Sequence, residues 1–242
     1  TSASVALTRT DYTYHDDNRV DKTYTYDIKD LPVDDTTLLT RVTTYNYRPD
    51  HKYTIDNVTS EGTQYFEQDP SNISGRSTTV TQYDVYGVQD SAVTTGENYR
   101  YYGTADEFTA SSYTTTADYD DFGVLLVQET VGETYTYLDT DGNGTCETKA
   151  IAGIYSVSSR DDVLSGIGGG VTQIDEYGVV RESVTSGRSG RDYNAAAGDF
   201  DEVRGIYTTT STNNIYGTLT GQVTEGESYN KVWDGTRYAD HR

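Results

Sequence analysis

The most explicit chemistry in this chain lies in three oxygen-bearing side chains set two apart and closed by glycine: Asp139, Asp141 and Asn143, then Gly144. Alternating oxygens on a tight turn are what a hard divalent cation takes. The backbone carbonyl of Thr145 and the carboxylate of Glu147 extend the set toward a calcium site. The twelfth position is Ala150, where an EF-hand carries a bidentate Glu, and no helical pattern flanks the loop, so a calcium ion here is held with modest affinity. The same residues also make an Asp-Asn-Gly β-turn that needs no metal. On either reading the loop is a staple between strands.

Catalytic chemistry is harder to find. His15, His51 and His241 show no paired-ligand spacing, and neither a G-x-S-x-G nor an H-E-x-x-H pattern occurs. Carboxylate pairs such as Asp199 and Asp201, or Asp118 with Asp120 and Asp121, have the chemistry of a glycosidase. In a chain with 39 acidic residues, however, such pairs arise by chance. The run Gly166–Gly170 reads as a loop tip, since no helix follows it to hold a phosphate, and Cys146 has no neighbouring His. The expectation is that the protein is not an enzyme.

The elements that must position these residues are strands. Period-two alternation recurs along the chain, and only Asn194–Val203 has the composition for a turn of helix. Tyr12 and Tyr14 alternate, the chain turns through Asp16, Asp17 and Asn18, and it returns with Tyr24 and Tyr26. Tyr45 and Tyr47 repeat the idea around Pro49-Asp50, returning with Tyr53 and Ile55. Both patterns predict hairpins. The hydrophobic fraction is 33%, with 24 Tyr against 4 Phe, 1 Trp and no Met. Rings that keep a hydroxyl to satisfy suit thin sheets with a wet face. Acidic, weakly hydrophobic chains tend to disorder, but the Tyr, Thr and Val content here is that of pleated surfaces. The fold class expected is all-β: antiparallel meanders forming sandwich-like or ribbon-like sheets. These make one or two domains, the latter dividing near Gly132 (residues 1–132 and 133–242) or in the Gly-rich stretch before Val171.

The net charge of −21 argues against nucleic acid and against an anionic membrane surface. No run of apolar residues is long enough for a transmembrane helix, and a lone cysteine excludes an internal disulfide. The opening TSASVALTRT reads as that of a processed product. The Thr-, Ser-, Asn- and Gly-rich style is that of secreted or cell-surface bacterial proteins. Asn57, Asn72 and Asn143 stand in Asn-x-Ser/Thr sequons, so each has the pattern of a glycan acceptor.

A weak internal repeat begins at Thr81, Ala117, Thr172 and Thr212: an Asp or Asn, a spacer, an aromatic, then a glycine at 87, 123, 178 and 217. Each copy reads as strand, glycine turn, strand. The fragments QYDVYGV, DYDDFGV and TYTYLDTDGNG resemble the YD repeats of the Rhs and teneurin-type proteins. That resemblance implies an extracellular β-sheet repeat structure or part of a secreted toxin shell.

Two functional expectations follow. In the first, Ala3, Val5 and Leu7 form an apolar face on a terminal strand that is donated to the open sheet edge of another copy, giving a head-to-tail extracellular filament or matrix. In the second, the protein is a calcium-supported adhesin or carbohydrate-binding module, with Tyr99, Tyr101, Tyr102 and Trp233 stacking on sugar rings. The partners are copies of the chain itself, or glycans.

Overall fold

The computed structural model describes residues 7–29, 36–66, 69–100, 103, 107–142, 144, 146–160, 173–233 and 238–241. Fourteen strands carry the described residues: β1 (Leu7–Tyr14), β2 (Val20–Lys29), β3 (Thr36–Tyr47), β4 (Ile55–Tyr65), β5 (Ile73–Tyr83), β6 (Gln89–Arg100), β7 (Phe108–Tyr119), β8 (Leu125–Leu138), β9 (Thr148–Arg160), β10 (Glu182–Asn194), β11 (Asp199–Asn213), β12 (Leu219–Ser228), β13 (Asn230–Trp233) and β14 (Tyr238–His241). The first twelve follow one another as a meander without crossover, and β13 pairs with β14 as a separate hairpin. The all-β, antiparallel expectation holds, in its ribbon-like form. Asn194–Val203 is no helix. A single turn at Asn194, where Gly198 N–H donates to the Asn194 carbonyl at 2.9 Å, joins β10 to β11.

The chain falls into two compact units, one of Thr1–Thr109 with Asp118–Gly123, the other of Ala110–Ala117 with Val124–Arg242. Gly132, where the sequence suggests a division, sits inside β8 and pairs with Tyr155 of β9.

Little apolar surface is sealed. Among the described residues the buried hydrophobic side chains are Leu38, Ala117, Ile174 and Phe200. Leu38, Ile174 and Phe200 contribute about 1.5–3 kcal/mol each by burial and Ala117 less, which is little for the strands the described residues form. Backbone ladders and cross-strand pairs must carry much of the stability. One pair type recurs. Hydroxyls oppose each other at Thr43·Ser60 (3.3 Å), Thr79·Thr94 (2.8 Å), Thr115·Thr130 (2.8 Å) and Thr209·Thr224 (2.9 Å). Thr43, Thr79 and Thr115 are 36 residues apart. The repeat is therefore a two-strand hairpin, more regular than the turn sequences alone suggest.

The turns use one device. Asp84 Oδ1 accepts the N–H of Tyr86 and of Val88, both at 2.8 Å. Asp175 does the same for Tyr177 and Val179 at 3.1 and 3.0 Å, and Asn214 for Tyr216 and Thr218 at 2.9 and 3.0 Å. Asp120 accepts Phe122 N–H at 2.8 Å. The residue that follows the aromatic must take positive φ: 83° at Gly87, 80° at Gly123, 76° at Gly178 and 75° at Gly217. Glycine does this without steric cost, and the ladder then shifts register by a bulge, as three-residue hairpin loops require. The first turn is a degenerate copy. His15 stands where Asp stands elsewhere, and Asn18, at φ 65°, replaces the glycine.

Candidate functional site

A second repeat, on the even-numbered strands, builds the most distinctive surface. A hydroxyl residue, any residue, then glycine occurs at Ser60–Gly62, Thr94–Gly96, Thr130–Gly132, Thr185–Gly187 and Thr224–Gly226. Three residues after the glycine, Tyr99, Tyr135 and Tyr229 each donate their phenol to a glutamate two positions back. The partners are Glu97 (2.6 Å), Glu133 (2.8 Å) and Glu227. In the second unit the ladder places Gly132, Tyr155, Gly187, Tyr207 and Gly226 in one row across five strands. The rings lie down over the glycines. A Cβ on Gly132 would meet Tyr155 Cζ at 2.3 Å, and one on Gly187 would meet Tyr207 Cε1 at 2.2 Å. Glycine is required there by close approach.

A cavity of about 630 Å³ follows this row, walled by Tyr113, Tyr155, Tyr193 and Tyr207 with Ile154 and Ile206. Serine and threonine hydroxyls interleave with the rings: Ser112, Thr114, Ser156, Ser186 and Thr208. Two charged side chains line it, Glu133 and Arg188, and both have partners. Tyr135 donates to Glu133, and Arg188 is ion-paired with Asp199. Burial pushes the Tyr155 phenol up, with the neighbouring Tyr113 and Tyr207 adding to the effect. The Tyr155 phenol therefore stays a neutral hydrogen-bonding group at physiological pH. The volume is that of a small-ligand site.

At the calcium-type loop, Asp139, Asp141 and Glu147 bring carboxylate oxygens within 4.8 Å of one another, all three exposed. Asp139 is already engaged. Its oxygens accept Gly142 N–H at 2.6 Å and Gly144 N–H at 2.8 Å, with both glycines at positive φ. These two hydrogen bonds close the turn without a metal. Asn143 and Thr145 lie outside the described residues.

Of the residues expected to stack on sugars, the structure describes the side chain of Tyr99. Tyr99 is half-buried on β6, Trp233 is paired with Tyr238 through the backbone of β13, and Tyr101 and Tyr102 lie outside the described residues. Exposed aromatics stand instead on the turns. Tyr53, Tyr86 and Phe122 in the first unit are 76–87% exposed, and Tyr177 and Tyr216 in the second are 79% and 82% exposed. Of the sequon residues, Asn57 is half-buried in β4, where its side chain accepts from Asn46 at 2.8 Å and donates to Asp56 at 3.3 Å. Asn72 sits at the turn into β5, hydrogen-bonded through its backbone to Phe66 and Asp69. Ala3, Val5 and the Gly166–Gly170 run lie outside the described residues. Leu7 begins β1 and pairs with Ile28.

Sequence inspection for turns misses the Tyr–Gly row, because residues that meet there are 19 to 32 positions apart. The recurring Thr-x-Gly is the signal that could have found it. No family model matches the chain, and no curated protein matches it. Among solved structures it is similar to a protein of unknown function from Bacteroides fragilis NCTC 9343. The identity is 11% and the TM-score 0.27, over 60% of this chain and 92% of that one.

Proposed function

We propose that the chain is a secreted structural protein, a subunit of an extracellular filament or surface matrix that grows by pairing the sheet edges of neighbouring copies. The observation that supports this is the state of the outermost strands. Among the described residues nothing pairs with the outer edge of β1 or of β12. Their side chains stand in solvent: Tyr12 and Tyr14 on β1 are 55% and 59% exposed, Leu219 and Val223 on β12 are 56% and 62% exposed. Soluble sheet proteins blunt such edges with proline, lysine or inward charges. Neither strand contains proline, and β12 has no lysine or arginine; the charges on these edges are Arg9 and Asp11, ion-paired with each other, and Glu225 and Glu227. The inner edge of β1 is taken by β2, so the N-terminal strand contributes its outer edge to the contact. A head-to-tail contact whose rotation does not close into a ring yields a fibre.

Negative-stain electron microscopy tests the reading. The unsubstituted protein should form filaments, and Leu219→Lys with Val223→Lys should leave folded monomers. Monodisperse particles from the unsubstituted protein at high concentration would sink it. Calcium enters this reading as a stabiliser of the Asp139–Glu147 loop. Millimolar calcium should raise the unfolding midpoint by a few degrees, reversibly with chelator, and Asp141→Asn should abolish the gain. An unchanged midpoint leaves the metal-free turn.

A further inference from the structure

We propose that the Tyr–Gly row of the second unit is a binding groove for a neutral, linear oligosaccharide. The cavity is lined from β7, β8, β9, β10 and β11. Five consecutive strands at roughly 4.8 Å each make a groove of about 19 Å, crossing the strands. That length suits several linked pyranose rings better than one compact molecule. The lining alternates ring faces with hydroxyls, as a sugar alternates C–H faces with hydroxyls. Tyrosine offers an apolar body and a polar tip at once. Charge narrows the class further. The chain carries −21 overall, yet this lining holds one acid and one base, Glu133 and Arg188, each with a partner. The one base is ion-paired with Asp199, so the lining offers no unpaired cation to an anionic ligand, and the acidic molecule repels one.

Glycine at 132 and 187 is what lets the rings lie along the groove. The corresponding cavity of the first unit, about 390 Å³ and lined by Arg41, Gly62, Gln64 and Ser77 among others, holds Tyr65 as its one ring. It serves as an internal control. The inference rests on the second unit alone and stands apart from edge pairing, which uses the outer edges of β1 and β12.

The test is isothermal titration of the full chain with cellohexaose, chitohexaose and mannohexaose, and with hexagalacturonate as the anionic comparison. At least one neutral hexamer should bind and the anionic one should not. Tyr155→Ala and Tyr207→Ala should each weaken binding about ten-fold, the scale of one lost aromatic contact. Tyr86→Ala, on an exposed turn of the first unit, should leave it unchanged. Should the cavity variants unfold, saturation-transfer NMR on the unsubstituted protein replaces them, with sugar C–H protons saturated from tyrosine ring protons. No binding by any neutral hexamer, binding indifferent to both tyrosines, or loss on Tyr86→Ala alone would overturn the proposal.

Discussion

The two units run the same glycine repeat and put different side chains beside it. In the first, the row reads Thr25, Arg41, Gly62, Ser77, Gly96. In the second it reads Gly132, Tyr155, Gly187, Tyr207, Gly226. A Cβ on Gly62 would meet Ser77 Oγ at 3.0 Å and two backbone carbonyls at 3.9 Å, whereas one on Gly187 would strike a tyrosine ring. The glycine is thus a backbone device common to both units. The residue across the ladder decides whether it leaves a polar recess or a bed for an aromatic ring. What distinguishes the two units stands opposite the glycine, on the odd strands.

Substitutions at the glycines break this comparison most directly. At Gly190 a Cβ would fall 2.4 Å from Phe200 Cγ and 2.5 Å from the Glu202 carbonyl. Phe200 is 6% exposed and packs edge-on against Tyr193 at 5.4 Å, so neither neighbour can yield. Gly190→Ala should cost about 3 kcal/mol, read by urea unfolding. Gly187→Ala should cost about 1 kcal/mol, because the half-exposed Tyr207 ring can swing aside at the loss of its packing. Gly62→Ala should stay within about 0.5 kcal/mol. If Gly62→Ala costs as much as Gly187→Ala, the distinction between the units fails.

Acid sharpens the contrast from the first unit's side. Asp17 is held by Arg19 at 2.9 Å and by Lys52 at 3.1 Å, and Arg19 stacks on Tyr47 at 4.5 Å. The hydrogen bond from Arg19, with help from Lys52, holds the Asp17 carboxyl far below the usual range. A depressed carboxylate stabilises the fold above its unfolded pKa of about 3.9, and the gain is lost as pH falls through the folded value. Unfolding midpoints of the unsubstituted protein and of Asp17→Asn should therefore differ at pH 7 and converge in strong acid. Parallel curves down to the lowest pH would show that the cluster does not couple to stability. The smallest effect is expected at the degenerate first turn. Asn18→Gly should stabilise by about 0.5 kcal/mol, since the later turns carry glycine at that left-handed position.

The local half of this structure is legible in the amino-acid order. Alternating Tyr and Thr select strands, and Asp-x-aromatic-Gly selects hairpin turns, because both depend on neighbours within five residues. The hairpin around Asp16–Asn18 and the all-β class follow from such local rules. The calcium-type loop is legible only as two alternatives. The metal-free turn and the cation site use the same oxygens, and Asp139 alone shows how the backbone claims them.

What required the tertiary structure is everything set by register across strands. Whether Tyr155 faces Gly132 or one of its neighbours, Val131 and Glu133, depends on which residue of β8 lies opposite it, and a shift of one residue would turn the whole face over. Between β8 and β9 that register shifts at a bulge between Thr134 and Tyr135. Composition cannot express it. The sequence by itself determined strands, turns and an acidic, tyrosine-rich surface. Only cross-strand pairing decided that a few of those tyrosines lie in one row over glycine, because contacts between distant residues exist only once the ladder has closed.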